Sequence, residues 1–159
     1  MDFSFSFDRK AYHGVERSLK LARGIKWRRR AGNPFQETQK YMFKSTKEKF
    51  RAEGISPTGK KKWWKSLSAG YAMWRVLNFG SASPILQLSG KLLKSIKKVP
   101  PNKRFVLLRT DIPYGKFQQH GTSRIPSRKF FLWTLTDYTM VRQIFRGWIR
   151  GIFTGFAMR

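Results

Sequence analysis

Thirty-four lysines and arginines face only eight aspartates and glutamates, which leaves this 159-residue chain with a formal charge of +26. Basic clusters at Lys26 to Arg30, Lys60 to Lys65 and Lys91 to Arg104 are spread through the sequence, so the field belongs to the folded body and not to one detachable tail. Phosphate is the natural partner for such a field, because each phosphate neutralised releases condensed counterions and a few contacts give strong, salt-dependent binding. A solvated surface, or an acidic protein partner, accounts for the same charge. Against this repulsion stands a hydrophobic content of 40%, with 14 Phe and 6 Trp, enough for a packed core in a chain the size of a single domain over 1–159.

The same inventory removes most catalytic chemistry. There is no cysteine, so disulfides, thiolate metal sites and cysteine nucleophiles are excluded. His13 and His120 are the two imidazoles, and the carboxylates are scattered at Asp2, Asp8, Glu16, Glu37, Glu48, Glu53, Asp111 and Asp137. His120 follows Gln118 and Gln119 but has no nucleophile or carboxylate near it in sequence, and Gly121-Thr122-Ser123 after it is turn chemistry. No enzyme, metal site, cofactor or small-molecule substrate is therefore expected. No apolar run reaches the roughly 18 to 20 residues of a membrane span, and the start lacks the basic and apolar regions of a secretion signal, so the expectation is a cytosolic product without stable membrane insertion.

Patterning predicts an α+β chain with helices packed on a small, mainly antiparallel sheet. Asp2 to Asp8 alternates Phe3, Phe5 and Phe7 with polar residues, a short strand. Tyr12, Val15, Leu19 and Ala22 place an amphipathic helix over Arg9 to Arg23, and Pro34 opens a second helix through Tyr41, Met42, Phe43 and Phe50 to about Glu53. Lys60, Lys61 and Lys62 then form an exposed basic loop beside Trp63 and Trp64. Periodicity is lost between residues 65 and 84, which reads as an irregular excursion or mobile arm.

Ser89 is placed to cap a short helix whose Leu92, Leu93 and Ile96 share one face, with Lys91, Lys94 and Lys98 lining another. Phe105 to Thr110 reads as a strand buried on both faces or nearly so. Tyr114 to His120 forms one or two helical turns stopped by Gly121. Phe131 to about Phe153 reads as a long terminal helix, running into a basic, aromatic extension over 145–159. Its arginines alternate with aromatic and aliphatic residues, a pattern suited either to subunit packing or to lying on an acidic membrane surface. Trp27, Trp63 and Trp64 are of the kind that stacks on unpaired bases in single-strand binders, but such aromatics are more often core or interface anchors. Arg128 and Lys129, beside Phe130 and Phe131, can clamp a carboxylate or phosphate or serve an interface.

Several short motifs then recur in a fixed order. Phe50, Glu53-Gly54, Gly59 and Trp64-Lys65-Ser66-Leu67-Ser68 come first, followed by Ile85-Leu86, Ser89-Gly90, Leu92 and Ser95-Ile96. Pro113-Tyr114-Gly115, Gln118-Gln119, Gly121 and Ile125-Pro126-Ser127-Arg128-Lys129-Phe130 complete the series. From Phe50 to about Asp137 this order resembles the phage virion morphogenesis family, the Mu-like protein G group of tail-completion or neck proteins. Ser66, Ser89, Gln118 and Lys129 depart from the family's Pro, Thr, His and Pro, and two extra residues separate Gly59 from Trp64.

The resemblance implies a non-enzymatic virion protein at the head-to-tail junction, assembled in the host cytoplasm as a homo-oligomeric ring, with hexameric copy number. Its implied neighbours are neck, head-completion or tail-terminator proteins and packaged DNA. Within that expectation Lys26, Arg28, Arg29, Arg30, Lys60, Lys61, Lys62, Lys91, Lys94 and Lys98 are the candidate contacts to DNA or acidic partners. Trp63, Trp64, Trp148 and Phe153 are candidates for subunit packing. Gly54, Gly59 and Gly121 suit turns, and Trp64, Leu67, Leu92, Ile96, Tyr114 and Phe130 suit packing anchors. A free, non-specific nucleic-acid-binding module is the competing expectation.

Overall fold

The computed structural model describes residues 2–5, 33–100 and 105–157, the side chains of 2–5 and 152–157 excepted. The expected helix over Arg9 to Arg23, Phe7, Trp27 and the Lys26 to Arg30 cluster lie outside the described residues. So does the Phe153 side chain.

The chain is α+β. Helix α1 (Pro34–Arg51) begins where the Asn33 side chain accepts from the Phe35 N–H at 2.9 Å, with Pro34 in the first turn, Glu37 near its start, and Lys49 and Arg51 near its end. Each of these features suits the helix dipole or its unpaired termini. It stops two residues before the expected Glu53. There the Gly54 N–H reaches back to the Lys49 carbonyl at 2.7 Å, and Gly54 takes φ +96°. A Cβ at Gly54 would sit 2.6 Å from Trp64 Cδ1, so this turn requires glycine twice over, for its backbone and for the indole laid across it.

Among the described residues three strands make one antiparallel sheet in the order β1-β3-β2: β1 (Asp2–Phe5), β2 (Ile96–Lys98) and the central β3 (Val106–Thr110). Phe3 stands opposite Leu108 on one side, and Lys98 stands opposite the same residue on the other. Val106, Leu108 and Thr110 are buried, whereas Leu107 is half-buried and Arg109 exposed. β3 is thus covered on one face and not on both. The helical layer lies over that one face, and Gln39 of α1 ties it down by donating to the Val99 and Leu107 carbonyls.

Two short helices follow the motif order. Helix α3 (Lys91–Ser95) starts at Gly90, which adopts the left-handed conformation at φ +66°. Ser89 is therefore not the cap: it stands one position too early, and its Oγ lies a long 3.5 Å from the Lys91 N–H. Ile96 belongs to β2, yet it shares the buried side with Leu92 as expected. Helix α4 (Gly115–His120) ends at Gly121, whose φ is +80° and where a Cβ would lie 2.8 Å from the Ser127 nitrogen.

The terminal helix α5 (Leu135–Ala157) starts later than Phe131. Thr134 and Asp137 form a reciprocal capping box, the Asp137 N–H donating to Thr134 Oγ1 at 3.1 Å and the Thr134 N–H to Asp137 Oδ2 at 2.9 Å. Phe130 and Phe131 precede this box and plug the core instead, with Met42, Phe50, Trp64, Leu92, Ile96, Leu108 and Val141.

The segment 65–84 is not irregular throughout. Ala69–Phe79 is helix α2, closed by Gly80 in the left-handed conformation.

Candidate functional site

Among the described residues the closest approach to a chemical constellation lies between α1 and α5. Lys49 Nζ donates to Asp137 Oδ2 at 3.0 Å and to Ser45 Oγ at 2.7 Å, while the Ser45 hydroxyl donates to Asp137 Oδ1 at 2.6 Å. The Tyr41 hydroxyl donates to the same oxygen at 3.1 Å. Lys49 and Asp137 side chains are 0% and 1% exposed.

Burial works to raise the Asp137 pKa, but the Ser45 hydroxyl, the Lys49 ammonium and the Thr134 N–H together hold it below the ordinary carboxylate range. Burial lowers that of Lys49 against the pull of Asp137. Burial, followed by the Asp137 charge and hydrogen bond, pushes the Tyr41 phenol up to about 12. A serine beside a lysine suggests a nucleophile and its base. Here the Asp137 carboxylate occupies both partners, and the pairing clamps α1 to α5.

A second cluster anchors the α2 arm. Arg128 is 5% exposed, and its Nε and Nη2 donate to the carbonyls of Lys65 and Ser66 at 3.1 and 3.3 Å. Those contacts replace the expected anion clamp: the guanidinium braces the root of the arm, and burial lowers its pKa. At the other root Arg75 donates through both terminal nitrogens to the Pro84 carbonyl, at 3.3 Å each. The Glu53 carboxylate accepts from Ser83 Oγ at 2.6 Å and from the Ile85 N–H at 2.9 Å. Between these ties α2 leaves Tyr71, Met73, Trp74, Val76, Leu77 and Phe79 between 44% and 77% exposed. Tyr71 stacks on Trp74 with centroids 5.6 Å apart, so the rings form one continuous apolar ledge.

A single glutamine organises the segment from which Arg128 projects. Gln119 is buried. Its Oε1 accepts from the Phe130 and Phe131 N–H groups, both at 3.1 Å, and its Nε2 donates to the Phe131 carbonyl at 2.9 Å. The motif residues Gln119, Gly121, Pro126, Arg128 and Phe130 thus meet in one place, where α4 grips the strap leading into α5.

Other motif positions serve the fold locally. Ser95 Oγ donates to the Leu92 carbonyl at 2.7 Å and lies 2.6 Å from Thr110 Oγ1. Leu67 packs half-buried on the core. Gly59 turns at φ +96° in an open loop, and Pro113 is exposed. Tyr114 departs from its expected role as a packing anchor: it is 43% exposed and contributes the backbone that starts α4.

Among the candidates for subunit packing, Trp63 is 41% exposed and available. Trp64 is not. It is 5% exposed, meets Phe50 edge-on at 5.5 Å and donates its indole N–H to the Lys129 carbonyl at 3.2 Å, which uses up its faces inside the core. Trp148 lines an open groove between α1 and α5 with Pro34, Tyr41 and Ile144.

Lys60, Lys61, Lys62, Lys91, Lys94 and Lys98 are all exposed, and among the described residues none pairs with a carboxylate. The loop holding the first three is nevertheless shaped: the Lys62 N–H donates to the Ala52 carbonyl at 2.9 Å and the Lys60 N–H to Ser56 Oγ at 2.9 Å. Asp111 gathers Lys97 and Arg109 at 2.8 and 3.0 Å, and the Lys97 hydrogen bond is the main cause of its lowered pKa.

Among the described residues no group of three or more His, Cys, Asp or Glu is placed to hold a metal, and no helix is long and apolar enough to cross a membrane. Set beside known proteins, the chain matches no family model, no curated protein and no solved structure.

Proposed function

We propose that this chain is a structural virion protein of the phage head-to-tail junction, a subunit of a ring that completes the tail or neck and makes it competent to join a filled head. The observation that carries the reading is α2, an apolar helix tied at both roots and bare along its length. Contiguous apolar surface of this kind marks a protein-binding face, and in a ring each arm is covered by the adjacent subunit. The ordered motifs from Phe50 to Asp137 support the same reading, since those that converge do so as architecture around Gln119 and Phe130 and not as a reaction centre. The positive charge then compensates packaged DNA or acidic neighbouring rings.

The exposed lysines without carboxylate partners favour one other reading, a free and non-specific nucleic-acid-binding module. Mass spectrometry of nuclease-treated particles, with the major capsid protein as copy-number reference, separates the two. A few copies per particle, consistent with one ring, is the expected result. Absence from particles overturns the structural assignment and promotes the free binder.

A further inference from the structure

Lys40, Lys44, Lys47 and Arg51 are all exposed and fall within an arc of about 60° on the outer face of α1. They form a straight basic edge about 16 Å long at about 1.5 Å per residue. Its two ends are partly compensated, Lys40 by Glu37 at 2.8 Å and Arg51 by Glu48 at 3.8 Å, in pairs open to solvent. The middle is not. Lys47 Nζ lies 4.4 Å from the centroid of the Phe43 ring, and Lys98 Nζ, arriving from β2, lies 5.3 Å from the same centroid. The ring orients two like charges side by side without neutralising either. Neither of these lysines, nor Lys44 beside them, has a carboxylate partner among the described residues.

We infer that Lys44, Lys47 and Lys98, gathered around Phe43, form a binding track for the phosphate backbone of nucleic acid. The composition of this face selects phosphate over protein. None of the large exposed hydrophobics among the described residues lies on α1. Protein interfaces are depleted in lysine and centred on apolar or aromatic anchors, and such anchors are concentrated on α2 instead. A lipid surface also wants an apolar face to bury beside the charge. Three neighbouring cations suit successive phosphates of one strand, which follow one another at about 3.4 Å of axis each. The contacts are to backbone, so the track has no sequence preference. It is complete in one chain and does not depend on ring assembly.

The test compares two variants of equal charge in binding to a short DNA duplex across a salt series. Lys44→Ala/Lys47→Ala/Lys98→Ala is expected to reduce the log–log salt slope by about 2.7, about 0.9 for each of three phosphate contacts. Lys60→Ala/Lys61→Ala/Lys62→Ala, which removes the same charge from the loop, is expected to change it by less than about half as much. Equal changes overturn the proposal, because binding then follows net charge and not this track.

A second measurement uses the unaltered chain. Lysine acetylation read by mass spectrometry should show Lys44, Lys47 and Lys98 protected by the duplex. Undiminished reactivity there overturns the proposal, as does equal protection by polyglutamate, which would assign the track to an acidic protein. Particle copy number plays no part in either readout, so this inference and the ring assignment fail separately.

Discussion

Helices α1 and α2 reverse the usual relation between composition and burial. α1 reads PFQETQKYMFKSTKEKFR, rich in charge and amide, yet it supplies Met42 and Phe50 to the core and buries Thr38, Gln39, Thr46 and Lys49 as well. α2 reads AGYAMWRVLNF. Its one charged residue, Arg75, is its buried one, while its aromatic and aliphatic side chains face outward. The difference lies in what stands opposite. α1 is packed against β3 on one side and α5 on the other, and Gln39 and Lys49 find partners there, on the Leu107 carbonyl and on Asp137, while Thr46 turns back to the Met42 carbonyl of α1 itself at 2.8 Å. Opposite the apolar ledge of α2 the described chain supplies no second layer. Affinity for water governs a side chain's fate only when a neighbour offers it an alternative.

That contrast breaks most sharply at the clamp. Asp137→Ala leaves the Lys49 ammonium buried without its counter-charge and uncaps α5. Its expected cost is about 3 to 5 kcal/mol, read as a lower urea midpoint by tryptophan fluorescence. Adding Lys49→Met, which removes the orphaned charge, should recover part of that loss. A cost within the surface range would mean that α1 is held by packing alone.

Titration sharpens the comparison without a large perturbation. The Tyr41 phenol sits at about 12 in the folded chain against an ordinary 10.0, so the folded state keeps a proton that the unfolded state releases first. Its contribution to stability is whole below pH 10 and is lost as pH climbs through about 12. Asp137, lowered from 3.8, behaves oppositely: its contribution is present above that value and is lost as acid protonates the folded carboxylate. Phenolate absorbance should therefore show a phase at about pH 12, and Tyr41→Phe should remove it.

The smallest effect on folding belongs to α2. Met73→Ser and Leu77→Ser are each expected to shift unfolding free energy by no more than about 0.5 kcal/mol, because these side chains, 61% and 77% exposed, already face solvent. Under the proposed function the same changes abolish incorporation into particles. A loss of stability as large as that of Asp137→Ala would show that α2 is packed on its own chain.

What was legible in the sequence was local. Asn33-Pro34, Gly121 and the apolar periodicity of α1 and α5 announce their elements within a few residues, and the α+β arrangement follows from their order. The features that give the candidate site its character are distant pairings. Lys49 sits 88 residues from Asp137 and looks, beside Lys47 and Glu48, like one more surface cation. Its place in the Met42, Thr46, Lys49, Phe50 stripe was the available signal. Arg128 resembled an anion clamp because its partners are backbone carbonyls 62 and 63 residues away, which no side-chain pattern records. The Thr134 and Asp137 capping box was readable, but the apolar Phe130-Phe131 pair drew the helix start too early. α2 reads locally as a mixture of aromatic and polar residues running into the Gly- and Ser-rich stretch after Asn78, and that mixture masked the helix that forms.

Arg128 gives the arm a mechanical connection. Its guanidinium holds the carbonyls of Lys65 and Ser66, its own N–H donates to the Gln118 carbonyl at 2.7 Å, and two residues later Phe130 is fully buried under the grip of Gln119. A sideways load on α2 is therefore delivered through a rigid, planar strut to the strap that enters α5, and not dissipated in a slack hinge. The ledge of exposed rings is a lever whose fulcrum is welded to the centre of the molecule.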